Sequence, residues 1–285
     1  MIRTLLFSTL AILLASSAVA QEAAGLQYPL AVAADENGVI YVADLHLPGI
    51  WKITDGKAGI FFQASKRFRT PLNRVRCLAI DAEGRLLAGD SATREIYRFS
   101  ADGKPEPLTN GYIGIPVVLA VSKEGTIYVS DLESERIWSM PAGGLAEGEE
   151  PTEVAVLAGV RGLAFDPDGK LIAATTLEDP IRRVGDDGKL EVLVPGRPFQ
   201  LPHQLVIAQE GTMYVADNYA GAIWKIPRGR RRADGIRQRR AARQTGRTGM
   251  ARRRFARCRP ACEEGVCGIA GGDGDCCCQV IGDQC

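Results

Sequence analysis

The amino-acid sequence predicts an all-β fold, a β-propeller of four-stranded blades. Three observations predict it. A strand-terminal position recurs at Asp44, Asp90, Asp131, Thr175 and Asp217, at intervals of 46, 41, 44 and 42 residues. Six residues before each stands a glycine (Gly38, Gly84, Gly125, Gly169, Gly211), and six after each an isoleucine (Ile50, Ile96, Ile137, Ile181, Ile223). An aromatic follows that isoleucine as Trp51, Tyr97, Trp138 and Trp224, with Arg182 the exception. A register kept five times marks a structural repeat.

Each unit reads as four short strands. A first apolar strand, such as Gly162-Leu163-Ala164-Phe165, meets a tight turn whose glycine supplies the positive φ that a hairpin needs. A second strand, such as Ile127-Tyr128-Val129, is apolar on consecutive positions, as a strand covered on both faces must be. The loop carrying the aspartate leads to a third strand, Ile137-Trp138-Ser139-Met140, and a more polar fourth, Lys189 to Leu193, faces outward. One sheet of this size cannot bury both its faces, and packing such sheets radially solves the problem.

The repeat order, first strand, turn glycine, Val-Ala-Asp or its variants, then isoleucine and aromatic, resembles the NHL-type propeller repeat. It is related in architecture to the senescence-marker/gluconolactonase propellers. The resemblance runs from Tyr28 to Ile226 and implies a fold more than a chemistry.

Charge divides the 285-residue chain. Gln21 to Pro227 carries 20 Lys and Arg against 28 Asp and Glu, net −8; Arg228 to Cys285 carries 14 Arg against 6 acids, net +8. Seven of the eight cysteines lie in the second part. At the other end, Met1-Ile2-Arg3, the apolar run Leu5 to Leu14 and Ala18-Val19-Ala20 form a secretory signal peptide, residues 1–20. The run is too short to span a bilayer, so no stable membrane anchor is expected. The expected localisation is exported, periplasmic or extracellular. The domains are thus the leader, blades 1–5 over residues 21–227, and an Arg/Cys-rich tail over 228–285.

The tail admits a nucleic-acid or a cysteine-module reading, but its spacing fits no standard zinc pattern and seven cysteines leave one unpaired. The reading adopted is a frameshift near codon 228, which leaves five blades encoded in frame, a sixth lost, and the tail disordered. Read from the second base of each codon, Met250-Ala251 is forced to tryptophan. A missing unit can be read from Gln244 onward, its aspartate at codon 259, which is 42 after Asp217. No nucleic-acid partner is therefore expected.

Aligning the first-strand starts places Leu30, Arg76, Val117, Arg161 and His203 toward the axis. Two arginines and a histidine there make an anion site, because guanidinium pairs with carboxylate or phosphate through parallel hydrogen bonds. The alternative is that Arg76 and Arg161 pair with the signature aspartates and only join blades. The expected ligand-binding set is Arg76, Arg161, His203, Gln204 and His46. Asp44, Asp90, Asp131 and Asp217 recur in nearly every unit, so they are expected to cap loop amides. Cys77 is expected to be a buried filler.

The gluconolactonase resemblance implies a divalent ion held near the axis by Glu, Asn and Asp. Cations stand at those places here, so no metal and no cofactor are expected, beyond weak calcium at the aspartate-rich loops. The expected function is an exported binding protein for a small anionic molecule or a protein segment, with no catalysis assigned, monomeric if the ring is intact. The alternative is a lactonase-like hydrolase or a lyase using His203 with Arg76 and Arg161.

Overall fold

The computed structural model describes residues 25–229 and 234–236, apart from 48, 66 and 68. The leader, nearly all of the tail and its cysteines lie outside the described residues. Among the described residues there is no helix.

Twenty strands form five four-stranded antiparallel sheets in chain order. Sheet 1 holds β1 (Pro29–Ala34), β2 (Ile40–Asp44), β3 (Gly49–Thr54) and β4 (Lys57–Gln63). Sheet 2 holds β5 (Val75–Ile80), β6 (Leu86–Asp90), β7 (Glu95–Phe99) and β8 (Pro105–Pro107). Sheet 3 holds β9 (Pro116–Val121), β10 (Ile127–Asp131), β11 (Arg136–Met140) and β12 (Thr152–Val156). Sheet 4 holds β13 (Val160–Phe165), β14 (Leu171–Thr175), β15 (Ile181–Val184) and β16 (Leu190–Val194). Sheet 5 holds β17 (Pro202–Ile207), β18 (Met213–Asp217), β19 (Ala222–Ile226) and β20 (Asp234–Ile236). Its last strand lies beyond Pro227, pairing Ile223 with Ile236 and Lys225 with Asp234.

The turn glycines do what the pattern requires. Gly38, Gly84, Gly125, Gly169 and Gly211 all have φ between 75° and 88°, and close the β1–β2 hairpin and its four counterparts. The second strands are the most enclosed: every residue of β6 and of β14 is buried.

The first strands are innermost, β1 packing on β5, β5 on β9, β9 on β13 and β13 on β17. Four apolar cores fill the spaces between consecutive sheets. Ile50 meets Leu78 between sheets 1 and 2, and Ile96 meets Leu119 between sheets 2 and 3. Ile137 meets Leu163 between sheets 3 and 4, and Ile181 meets Leu205 between sheets 4 and 5. Five blades thus succeed one another in a propeller ring.

No such core joins sheet 5 to sheet 1 among the described residues. Leu78, Leu119, Leu163 and Leu205, which face the preceding sheet, are 3–6% exposed, whereas their counterpart Val32 is 49% exposed. The repeat isoleucines that face the following sheet are fully buried in sheets 1 to 4, but Ile223 is 37% exposed. Val206 of β17 is 60% exposed. Trp51 is buried, yet its Nε1 has no hydrogen-bond partner.

Identical residues at equivalent places should therefore differ in worth. Ile137→Ala is expected to cost about 2–5 kcal/mol, the usual penalty for emptying a packed site, and Ile223→Ala less than about half of that. Urea unfolding of the two variants measures the difference.

Candidate functional site

Each inner strand but one starts on a buried carboxylate. Asp44 accepts backbone N–H bonds from Gln27 (2.7 Å), Tyr28 (3.1 Å) and His46 (2.9 Å). Asp90 accepts them from Leu72, Arg74 and Ala92, and from the Thr93 hydroxyl. Asp131 accepts from Gly114, Ile115 and Glu133, and from the Ser134 hydroxyl. Asp217 accepts from Gln200, Leu201, Ala220 and the Trp224 indole.

Burial alone would raise these carboxyl pKa values. The converging N–H donors outweigh it, and Asp44, Asp131 and Asp217 are held below the ordinary carboxylate range. Oxygens facing that many donors sit in an environment of the wrong sign for calcium. In sheet 4 the position is Thr175; the backbone bond from Thr176 N–H to the Gly159 carbonyl, with Gly159 at φ 68°, is one that all five sheets share and here stands without the carboxylate.

Just past this clamp every inner strand bulges. Pro29 pairs with Asp44 but Ala31 with Ala43, and the same skip occurs in all five sheets. The skipped residues are Leu30, Arg76, Val117, Arg161 and His203. A bulge residue is released from the ladder and its side chain re-aimed. All five line one small cavity of ≈ 70 Å³ at the axis, together with Cys77, Gln204 and neighbouring strand residues.

Among the described residues the lining carries two guanidinium groups, an imidazole, an amide and no carboxylate. Arg76 Nε donates to Ser91 Oγ at 3.1 Å. Arg161 Nε is buried and has no partner. Neither arginine pairs with a signature aspartate, whose oxygens are already taken by backbone donors. His203 has an exposed edge at the cavity mouth, yet enough protein surrounds it to count as partly desolvated. That desolvation, and secondarily the charge of Arg161, lowers its pKa below the usual histidine value and favours the neutral ring.

His46 lies elsewhere: it is not part of this lining, and its ring packs on Tyr28 with centroids 5.6 Å apart. The two histidines therefore do not share the cavity. Cys77 is buried, and desolvation pushes its thiol up to about 12, which leaves no thiolate at neutral pH.

A divalent ion does not fit the axial cavity, because a hard cation needs anionic oxygens and meets two arginines here. Sequence reasoning missed a second feature. A wider groove of ≈ 740 Å³ adjoins the cavity and shares Arg76 with it; Arg69, Arg74, Arg94 and Glu133 also line it. The signal was present: Ala64 to Arg76 holds five cationic residues and no acid.

With this geometry defined, the chain was compared with known proteins. It resembles solved propellers closely enough in backbone to settle the architecture: a gluconolactonase from Xanthomonas campestris (TM-score 0.60, 21% identity, covering 74% of this chain and 75% of that one). A streptogramin B lyase (TM-score 0.58, 18% identity, 73% and 68%) and a nidogen/laminin complex (TM-score 0.62, 17% identity, 74% and 80%) are similar too. The fold is a β-propeller. No family profile matches the chain. Among curated proteins it is similar to peptidyl-glycine alpha-amidating monooxygenases A and B of Xenopus laevis, each 24% identical over 231 residues and covering 70% of this chain. The chain spans about a quarter of their length.

The clamp makes a stability prediction. Asp131→Ala strips the acceptor from the Gly114 and Ile115 N–H groups, at an expected cost of at least about 2 kcal/mol. Since the folded pKa of Asp131 lies below the unfolded one, its contribution is complete above the unfolded value and lost as pH falls through the folded one. Thermal unfolding from pH 7 to pH 2 should show a shallower acid slope in the variant than in the parent.

Proposed function

We propose that this protein is an exported propeller that binds a small anionic group, free or carried on a protein segment, in the axial cavity. The observation that carries the reading is Arg161: a buried guanidinium nitrogen with no partner, beside Arg76 and His203, in a lining without a counter-charge. A buried N–H donor without a partner is costly, and a carboxylate or phosphate oxygen removes that cost. A cavity of ≈ 70 Å³ has room for one such group, about two waters in size.

Titration calorimetry of the full chain with gluconate and with inorganic phosphate tests this. Arg161→Gln is expected to weaken gluconate binding at least tenfold. Gluconate stays ionised from pH 6 to 8 while the bound anion favours protonated His203, so affinity should fall as pH rises over that range. Absence of binding for both anions at millimolar concentration sinks the reading.

A second reading, a lactone hydrolase or a lyase, is favoured by one observation: His203 has its pKa held below the ordinary histidine value and stands beside a group suited to holding an acid. In that case the arginines hold the substrate's anionic group and His203 takes a proton from the adjacent carbon or from water. Turnover of a sugar lactone that His203→Gln abolishes while gluconate binding survives would establish it; unchanged turnover would remove it.

We also propose that the ring of the intact protein is six-bladed and of the NHL type, with the final sheet lost to a frameshift near codon 228. The exposed Val32 on one flank and Val206 and Ile223 on the other support this, since their counterparts are covered by a neighbouring sheet. A frame-restored gene should yield a monomer that melts higher and aggregates less, recovered outside the cytoplasm with its N-terminus near Gln21. No gain in melting temperature, or no lesion at codon 228 relative to close relatives, counts against it.

A further inference from the structure

The axial cavity does not stand alone. Arg76 lines both it and the wider groove, so the two form one continuous basic surface from the axis across the mouth of sheets 2 and 3. The groove adds Arg69, Arg74 and Arg94, and its one acid, Glu133, is already paired with Arg94 at 2.6 Å. Arg74 is exposed and its side chain makes no salt bridge among the described residues. This concentration of cations lies in a segment whose net charge is −8, so it is not a spill-over of general basicity. Among the described residues neither lining contains a Phe, Tyr or Trp ring, the larger platforms on which nucleobases stack.

We infer that the site is bipartite and takes a multiply charged small anion, one with at least two phosphate or carboxylate groups. The first group enters the axial cavity at Arg161, Arg76 and His203, and the second lies in the groove against Arg74. The inference rests on the axial anion reading for its first half only. Two linked groups bind more tightly than one because the second contact becomes intramolecular. Inorganic tripolyphosphate and citrate represent the phosphate and carboxylate sources, and phosphate and acetate are their single-group references.

Calorimetry of the full chain at fixed ionic strength gives the test. At least one of tripolyphosphate and citrate is expected to bind at least tenfold more tightly than its single-group reference, and which one does so names the source. Arg74→Gln is expected to erase most of that advantage and leave phosphate and acetate binding unchanged. Arg67→Gln, in the same loop but outside both linings, is expected to change nothing; an equal loss there would show a diffuse charge effect and overturn the proposal. So would equal binding of single and multiple anions by the parent chain, which would leave the axial reading intact. If Arg161→Gln changes no affinity but Arg74→Gln does, the axial reading fails, and the bipartite site with it. Unaltered melting temperatures of the variants establish that a lost affinity is not a lost fold.

Discussion

The structure depends on a buried carboxylate gripping the backbone just ahead of each inner strand. Asp44, Asp90, Asp131 and Asp217 each take two N–H groups from the incoming chain and at least one more donor from their own loop. Just past that point the ladder skips one residue, in sheet 4 with Thr175 as in the four sheets that keep the aspartate. The skipped residue is the one that reaches the axis. Scaffold and site are consequently one device: the repeated part is the grip, and the variable part is whichever side chain the bulge releases.

The exception in sheet 4 falls at the unpaired arginine. Thr175 replaces the carboxylate, and Arg161 is the bulge residue of that same hairpin. Arg76, by contrast, follows a hairpin that retains Asp90, and its Nε rests on Ser91. The arginine with no partner therefore sits where the repeated acid has been given up. The retained aspartates are tied up by backbone donors and do not line the axial cavity, so its electropositive character comes from Arg76 and Arg161 themselves, in a domain whose overall balance is acidic.

Much of this was legible in the sequence because the repeat is a record of short-range hydrogen bonding. The turn glycines, the aspartates and the isoleucines recur at fixed offsets because each contacts its own unit or the next one. Aligning units then puts Leu30, Arg76, Val117, Arg161 and His203 in equivalent places, without any knowledge that a bulge exists there. The groove was not legible that way. Arg69 belongs to the connection between β4 and β5, whose length has no counterpart to align with; Arg74 stands just before the first strand, where the other units have Tyr28, Ile115, Gly159 and Leu201 and no second cation; and Arg94 reaches across to Glu133 of the neighbouring sheet. His46 shares the loop position expected to face the mouth, but its ring packs on Tyr28 and lies outside the axial lining. Its placement is a tertiary choice that no offset encodes.

The same logic bears on the flanks. In a propeller each sheet supplies two different apolar faces, one to each neighbour, so a terminal sheet carries one face designed for contact and left without it. Here Val32 marks that face on sheet 1, although Val42 and Trp51 beside it are buried, and Val206 with Ile223 marks it on sheet 5; the counterparts of Val32 and Ile223 in the other sheets are buried, and those of Val206 are buried or half-buried. The orphaned Trp51 indole fits the pattern too. Trp138 donates to Ser134, three residues past its aspartate, and Tyr97 to Thr93 likewise, while the corresponding residue in sheet 1 is Leu47. Sheet 1 thus lacks a polar partner for its own aromatic, and its innermost strand leaves Val32 uncovered. Both deficits lie on the side where the ring has to close, which makes closure, more than any single contact, the property on which the stability of the inner strands and the spacing of the axial side chains turn.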